Sequence, residues 1–263
     1  MARKIVVTSG KGGVGKTTIT ANLGARRAAL GFRVAIIDAD IGLNNLDAVM
    51  GVENSVMFDL LDVLEGRCRL KQALIQDKRY PLLYILPSTH FSPNSKIDAL
   101  KLKQVVDSLE YNFDYILLDC PAGIEYGFHR AVTCANEAII VVTPHISSIR
   151  DADKVVSLLN NYKLTNKYLV INRARGDLIL NGEMFSVENV VEAMKVSILG
   201  VVPEDDDIST LSSIGGFSGS LTSGRAFTLM AENLHTGSKK VYDCTYRYRG
   251  LIGTLRRNLK RKV

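Results

Sequence analysis

Cysteine and histidine are too few and too scattered to build a metal or redox centre, with four of each in 263 residues. Cys68, Cys120, Cys134 and Cys244 show no C-x-x-C spacing. They read as small buried residues or free thiols of a reducing compartment, and their spacing argues against a metal-cluster carrier, which needs closely placed cysteines. No histidine, His145 included, has a second ligand near it in sequence. Nothing approaches the run of about 18 apolar residues that would read as a membrane span. The chain enters an apolar strand almost at once, which leaves no room for a signal or transit peptide. The last absence is of acid near the C-terminus. Arg247, Arg249, Arg256, Arg257, Lys260, Arg261 and Lys262 lie in 247–262 with no Asp or Glu between them.

That local absence locates the charge. The net charge is +6, yet outside 247–262 the remaining 26 Lys and Arg face 27 Asp and Glu. The body is close to neutral and the positive charge belongs to the tail. With 46% apolar and 23% charged residues, the body can fill the core of one large domain and is not a disordered chain.

Strand-like and helical runs alternate. Strands are expected at 4–8, 33–38, 82–87, 115–119, 138–143, 167–172 and 197–202. Helices are expected from the glycine loop to about residue 30, and over 58–64, 95–110, 147–161 and 187–194. In the helix at 95–110, Leu100, Val105, Val106 and Leu109 are expected on one side. The Gly/Ser-rich run 212–224 reads as a loop. Such alternation implies an α/β fold: a doubly wound, mostly parallel sheet with helices on both faces. The reading divides the chain into a domain over 1–246 and a terminal segment over 247–263.

The densest signal is Gly10-Lys11-Gly12-Gly13-Val14-Gly15-Lys16-Thr17-Thr18, set between the first strand and the first helix. It fits G-x-x-x-x-G-K-[ST], the phosphate-binding loop. Glycines let backbone N–H groups approach phosphate oxygens, and the helix N-terminus adds partial positive charge. Lys16 can reach the terminal phosphates, and the Thr17 hydroxyl can ligate Mg²⁺. Asp119 ends an apolar strand, where ligands bind in open α/β sheets, and suits holding Mg²⁺ directly or through water. Asp38 and Asp40 follow the apolar strand run 34–37 and point the same way if the strand continues; a turn-forming pair is the alternative. Gly123 gives the backbone freedom to approach a phosphate. An amide such as Asn172 can match the donor–acceptor edge of adenine.

The early lysine in Lys-Gly-Gly-Val-Gly-Lys-Thr-Thr resembles the deviant Walker A motif of the MinD/ParA ATPases. Residues 37–47, 119–125 and 199–205 are similar to the septum-site-determining branch of that family. The resemblance implies a P-loop NTPase fold, ATP and Mg²⁺ as cofactors, and a nucleotide-sandwich homodimer into which Lys11 reaches across to the partner's phosphates. It implies that Asp40 orients the attacking water, that Asp38 supports the phosphate lysine, and that Asn44 and Asn45 extend this first switch. Asp119 would then be the Walker B acid, and Gly123 would belong to the second switch. Asn172 would bond the adenine with Arg173 beside it, and Pro203, Glu204 and Asp205 would line base and ribose. Asp151 and Asp153, early on their helix, would face a MinC-like division inhibitor and a MinE-like topology regulator. Their bland alternative is favourable charge in a first helical turn. The implied location is cytoplasmic, peripheral on the inner face of the cell membrane, or the plastid stroma and inner envelope if the gene is plastid-encoded.

The tail decides between competing functions. On a helix, Tyr248, Leu251, Ile252, Leu255, Leu259 and Val263 fall within an arc of about 120°, with Arg249, Arg256, Arg257, Lys260 and Arg261 opposite. A basic amphipathic helix reads as an element for an anionic membrane surface. A ParA-like DNA-partitioning ATPase needs only the cations and leaves the leucines unexplained, so no nucleic acid is expected. A helix docked on the body would need no one-sided charge. A non-enzymatic scaffold would need neither the loop nor the acids.

Overall fold

The computed structural model describes residues 1–41, 45–88, 98–206, 222–251, 253–254 and 257. Strands β1 (Arg3–Thr8), β2 (Val34–Asp38), β3 (Ile75–Gln76), β4 (Leu83–Leu86), β5 (Tyr115–Asp119), β6 (Glu137–Val142), β7 (Asn166–Ala174) and β8 (Ser197–Pro203) form one sheet in the order β3-β4-β2-β5-β1-β6-β7-β8. The pairs from β4 to β8 are parallel. Only the short edge strand β3, which the sequence reading missed, runs antiparallel. A buried strand needs no polar face, which is why β1, β2, β5 and β6 read as near-continuous apolar runs.

Period-two alternation sends neighbouring side chains to opposite layers. Val6, Ile37, Leu118 and Ile140 join one core, with Leu102 and Val106 of α5 (Ala99–Ser108), Phe128 and Ala131 of α6 (Tyr126–Thr133), Ala152 and Val155 of α7 (Ile146–Leu159) and Val190 of α9 (Val187–Met194). Ile5, Val7, Ile36, Leu117 and Ile139 face the other. There α1 (Lys16–Ala29) brings Ile19 and Leu23, α2 (Leu46–Met50) brings Leu46 and Met50, and α10 (Ser223–Thr236) brings Phe227 and Met230. Short helices α3 (Leu60–Leu64), α4 (Leu70–Ala73) and α8 (Gly176–Leu180) sit at the margins. Helices α2, α4, α6, α8 and α10 were not anticipated. Four of them are a few turns at most, too short for periodicity to show. The Gly/Ser-rich run was expected to extend to residue 224, but Ser223 and Gly224 already belong to α10. Buried there, they let the first turn pack closely. Residues 212–221 of that run lie outside the described residues.

One helix face is corrected. Leu100 is 67% exposed, whereas Leu102 is fully buried with Val106 and Leu109. The helix begins at Ala99 after an Asp98 cap, its side chain accepting from the Leu100 N–H. Leu102 and Val106, four residues apart, make the stripe. Leu102→Ala should therefore cost about 2–5 kcal/mol and Leu100→Ala under about 0.5 kcal/mol, read from denaturant midpoints at constant slope. Equal losses would restore the expected face.

Candidate functional site

The sheet order puts β1 beside β5, and β5 beside β2, so three strand ends converge under the loop that leaves β1. Asp38 and Asp119 are register partners at the ends of β2 and β5. Both are buried. The Asp38 Oδ2 has no hydrogen-bond partner. Its Oδ1 accepts from the Asp40 N–H at 2.9 Å. Burial, reinforced by the facing Asp119, holds the Asp38 carboxyl well above the usual carboxylate range.

Asp119 is pushed up to about 6, chiefly by burial and with Asp40 adding to it, against the lowering effect of hydrogen bonds from Thr17 and Thr20 and the charge of Lys16. Thr20, which sequence reasoning missed, bonds the Asp119 Oδ1 at 3.3 Å and the Lys16 carbonyl at 2.9 Å. Its position three residues after Thr17, on the same helix face, was the available signal.

Asp38 and Asp40 do not share a strand face. The strand ends at Asp38, and the Asp40 N–H folding back onto the Asp38 carboxylate makes the turn that the sequence left as an alternative. Asp40, half-buried, is raised above its ordinary value by burial, against the lowering influence of Lys16 and Arg130. Asn45 leads into α2, while Asn44 lies outside the described residues.

The loop glycines divide by cause. Gly13 (φ 76°) and Gly15 (φ 95°) occupy the left-handed region, which other residues reach only with strain. A Cβ on Gly15 would lie 2.4 Å from the Asn172 Nδ2, and one on Gly10 would fall 2.2 Å from the backbone of Asp151. Gly10 thus also serves a close contact with α7. Lys11, Gly12 and Gly13 are exposed, whereas Val14 and Lys16 are buried and Thr17 and Thr18 sit between. The Ser9 hydroxyl donates to the Lys11 carbonyl at 2.7 Å. Hydroxyl and carboxylate oxygens from Thr17 and Asp119, beside the orphaned Asp38 oxygen, are the hard donors that suit Mg²⁺. Among the described residues no His/Cys/Asp/Glu group could hold a metal unaided.

Asn172 lies where expected, buried at the end of β7, but its amide donates to the Val14 carbonyl at 2.8 Å and so also braces the loop. Arg173 follows it, exposed and left-handed (φ 57°), where the β7–β8 register slips between Ile171 and Ala174. Pro203 ends β8, the Glu204 N–H donates to the Ala174 carbonyl, and the Asp205 carboxylate accepts from the Thr222 hydroxyl. Gly123 (φ 83°) begins the turn into α6.

Asp151 and Asp153 are on α7 but beyond its first turn, since the helix starts at Ile146. The first-turn dipole explanation does not apply. Asp151 pairs with Lys154 at 3.1 Å and Asp153 is exposed. In the tail, Gly250, Leu251, Gly253, Thr254 and Arg257 are helical and Leu251 is 94% exposed. Arg257 reaches Asn181 at 3.5 Å. Ile252, Leu255, Leu259, Arg256 and Lys260 lie outside the described residues. The helical turn Tyr246–Tyr248 straddles the expected boundary at 246, and the Arg249–Asp243 ion pair ties the chain beyond it to the body.

A family model described as an AAA domain matches residues 2–171. The septum site-determining protein MinD of Bacillus subtilis is 46% identical over 217 residues, 82% of this chain and 81% of that one. The chain belongs to the MinD family. MinD in the Aquifex aeolicus MinC:MinD cell division complex superposes with a TM-score of 0.86 at 42% identity, covering 92% of this chain and 99% of that one. The Pyrococcus horikoshii MinD bound to Mg-ADP gives 0.81 at 33% identity, covering 90% and 97%. The eight-stranded sheet is thus the MinD P-loop NTPase fold.

The crowded carboxylates predict a pH signature in the nucleotide-free protein. Asp119 titrates at an ordinary 3.8 in the unfolded chain and near 6 in the folded one. The folded state holds that proton more tightly. The penalty is therefore absent below about pH 4 and borne in full above about pH 6. Asp119→Asn should stabilise the apoprotein at pH 7.5 by on the order of 2–3 kcal/mol, with the gain vanishing near pH 4. Denaturant melts in EDTA check this. A mutant no more stable than the parent at pH 7.5 refutes it.

Proposed function

We propose that this protein is a Mg²⁺-dependent ATPase that dimerises on ATP and cycles on and off an anionic membrane surface to place the division septum. The carrying observation is the intact phosphate loop above two buried strand-end carboxylates, with a second lysine, Lys11, exposed at the loop's rim. Phosphoryl transfer asks for positioning and charge neutralisation more than for covalent help. Lys16 and the loop amides would hold the β- and γ-phosphates, and the loop's exposed rim leaves Lys11 free to serve the partner protomer. Mg²⁺, held by Thr17 and Asp119, would supply charge neutralisation across the phosphates. Asp40, beside Lys16 electrostatically, would orient the attacking water. Asn172, Arg173 and Pro203–Asp205 cluster at the ends of β7 and β8, where the base and ribose would lie.

The Aquifex complex with MinC supports a MinC-like inhibitor as partner, and family membership supports a MinE-like regulator. The stretch of α7 after its first turn, with half-buried Asp151 and exposed Asp153, is the surface we assign to them. No helix among the described residues is long and apolar enough to cross a membrane. Attachment would fall to the tail from residue 247, whose exposed Leu251 faces solvent. A groove of about 830 Å³ next to the tail carries Arg26, Arg225 and Arg247 and adds cationic surface there. One short helix binds lipid weakly, whereas two on an ATP dimer raise the effective concentration. ATP would then switch attachment on and hydrolysis switch it off. The location that follows is cytoplasmic, on the inner face of the membrane, or stromal in a plastid.

Three variants test the cycle. Lys16→Ala should abolish phosphate binding. Lys11→Ala should keep most ATP binding and lose dimerisation and turnover in gel filtration and phosphate-release assays, and normal turnover by a monomeric Lys11→Ala would exclude action in trans. Asp40→Ala should accumulate an ATP-bound dimer without hydrolysis.

The tail is tested by Leu255→Glu, which should lower co-sedimentation with phosphatidylglycerol vesicles at least tenfold while ATP binding and dimerisation persist. Vesicle binding equal to the parent's, or tight DNA binding indifferent to the substitution, would sink the membrane reading.

A further inference from the structure

Arg130 is the anomaly of this site. It lies on α6, one turn after Tyr126, in a helix whose neighbours Phe128, Ala131 and Val132 are core. The side chain is only 8% exposed. No acid within the described residues makes an ion pair with it, and its Nε has no hydrogen-bond partner. Its Nη2 donates to the Ala39 carbonyl at a long 3.5 Å. Burying a guanidinium so poorly satisfied costs several kcal/mol, and isolated charges of this kind call for a function.

The placement says which. Ala39 is the residue between Asp38 and Asp40, in the first switch. The Tyr126 ring lies 5.9 Å from the guanidinium carbon. The same Nη2 is 3.9 Å from where a Cβ on Gly127 would stand, and that Cβ would in turn press on Pro121 at 2.6 Å. Pro121, Gly123 and Tyr126 make up the second switch and its entry into α6. One guanidinium therefore touches the backbone of the first switch from the helix that directly follows the second. Its charge acts on Asp40 in the ionising direction, as does that of Lys16, while burial opposes them. Burial also lowers the guanidinium's own affinity for its proton.

We propose that Arg130 is a positioning residue for hydrolysis, joining the two switches and holding the Asp40 segment in place to orient water. It acts through Asp40 and does not itself touch the nucleotide, and the proposal rests on the role assigned to Asp40 above. Its loose contact with Ala39 suits a linkage that tightens when the site fills. Positioning of this kind acts on the chemical step and leaves ground-state binding alone.

The test compares Arg130→Met, Arg130→Lys and Asp40→Asn in the full chain with Mg-ATP. Arg130→Met should lower kcat by roughly 10- to 100-fold with KM for ATP and dimerisation changed by less than about threefold. Arg130→Lys, which restores the charge, should recover part of kcat. Amide exchange in the ATP state should quicken in Arg130→Met over 38–41 and 121–126, with the sheet core unchanged. If Arg130→Met does not fold, Arg130→Lys carries the same readouts, because it keeps the charge but cannot span both switches with a planar fork. The idea is overturned by an unchanged kcat in the folded variants, by kcat and KM changing in proportion, or by exchange quickening uniformly along the chain. Asp40→Asn separates the two layers of the argument. If it loses turnover while the Arg130 variants keep it, only the linkage is wrong. If Asp40→Asn itself turns over normally, the role of Asp40 is wrong.

Discussion

Two carboxylates that repel one another, Asp38 and Asp119, end adjacent parallel strands with little water to screen them. Parallel register fixes that juxtaposition, because no side-chain rearrangement can separate residues paired across a ladder by their backbones. The apoprotein bears the cost as raised proton affinity at both groups. What surrounds the pair is arranged around this cost. Hydroxyls of Thr17 and Thr20 bond Asp119, the Asp40 amide bonds Asp38, and Lys16 adds charge without forming a direct ion pair among the described contacts. A site satisfied in this partial way favours a divalent cation over solvent, since the cation supplies the positive charge that the fold withholds.

How much of this was legible follows from where information is local. The phosphate loop, the strand-end acids and the β–α alternation depend on spacing within a dozen residues, so sequence carries them. The pairing of Asp38 with Asp119 depends on strand order, which sequence does not print: β2 and β5 are neighbours only because the chain visits β4 and α5 between them. Arg130 had no signal beyond being a lone cation among Phe128, Ala131 and Val132, where periodicity could not distinguish a solvent-facing position from an inward one. Leu100 was placed on one side with Val106 and Leu109, whereas at about 100° per residue it lies opposite the buried stripe of Leu102, Val106 and Leu109. Gly10 was read only for the phosphate loop, and its close approach to the Asp151 backbone, set by packing across the fold, had no local signal.

The same glycine shows how the fold holds the shape of the loop. On one side Gly10 lies against α7 so closely that no Cβ fits, and on the other Asn172 bonds the Val14 carbonyl and fills the space beside Gly15. The loop is gripped at both ends by elements whose own positions are set by the sheet core. Between the grips, Lys11, Gly12 and Gly13 remain exposed. Preorganisation lowers the ordering entropy that binding would otherwise cost. It also divides labour along the loop: the gripped parts define the cradle, and the exposed rim carries Lys11, whose backbone carbonyl is held by Ser9 while the residue stays exposed.

That grip has a mechanical consequence for the assigned partner surface. Gly10 meets the Asp151 backbone itself, at the turn of α7 whose side chains, Asp151 and Asp153, face outward. Backbone contacts cannot be relieved by a rotamer change, and packed interiors transmit displacement instead of absorbing it. A ligand that shifted this turn of α7 by even a few tenths of an ångström would have to move the start of the phosphate loop with it. Occupancy of the outer face and the geometry of the loop are therefore tied through a single steric contact, one that requires glycine at position 10 and is indifferent to the side chain at position 151.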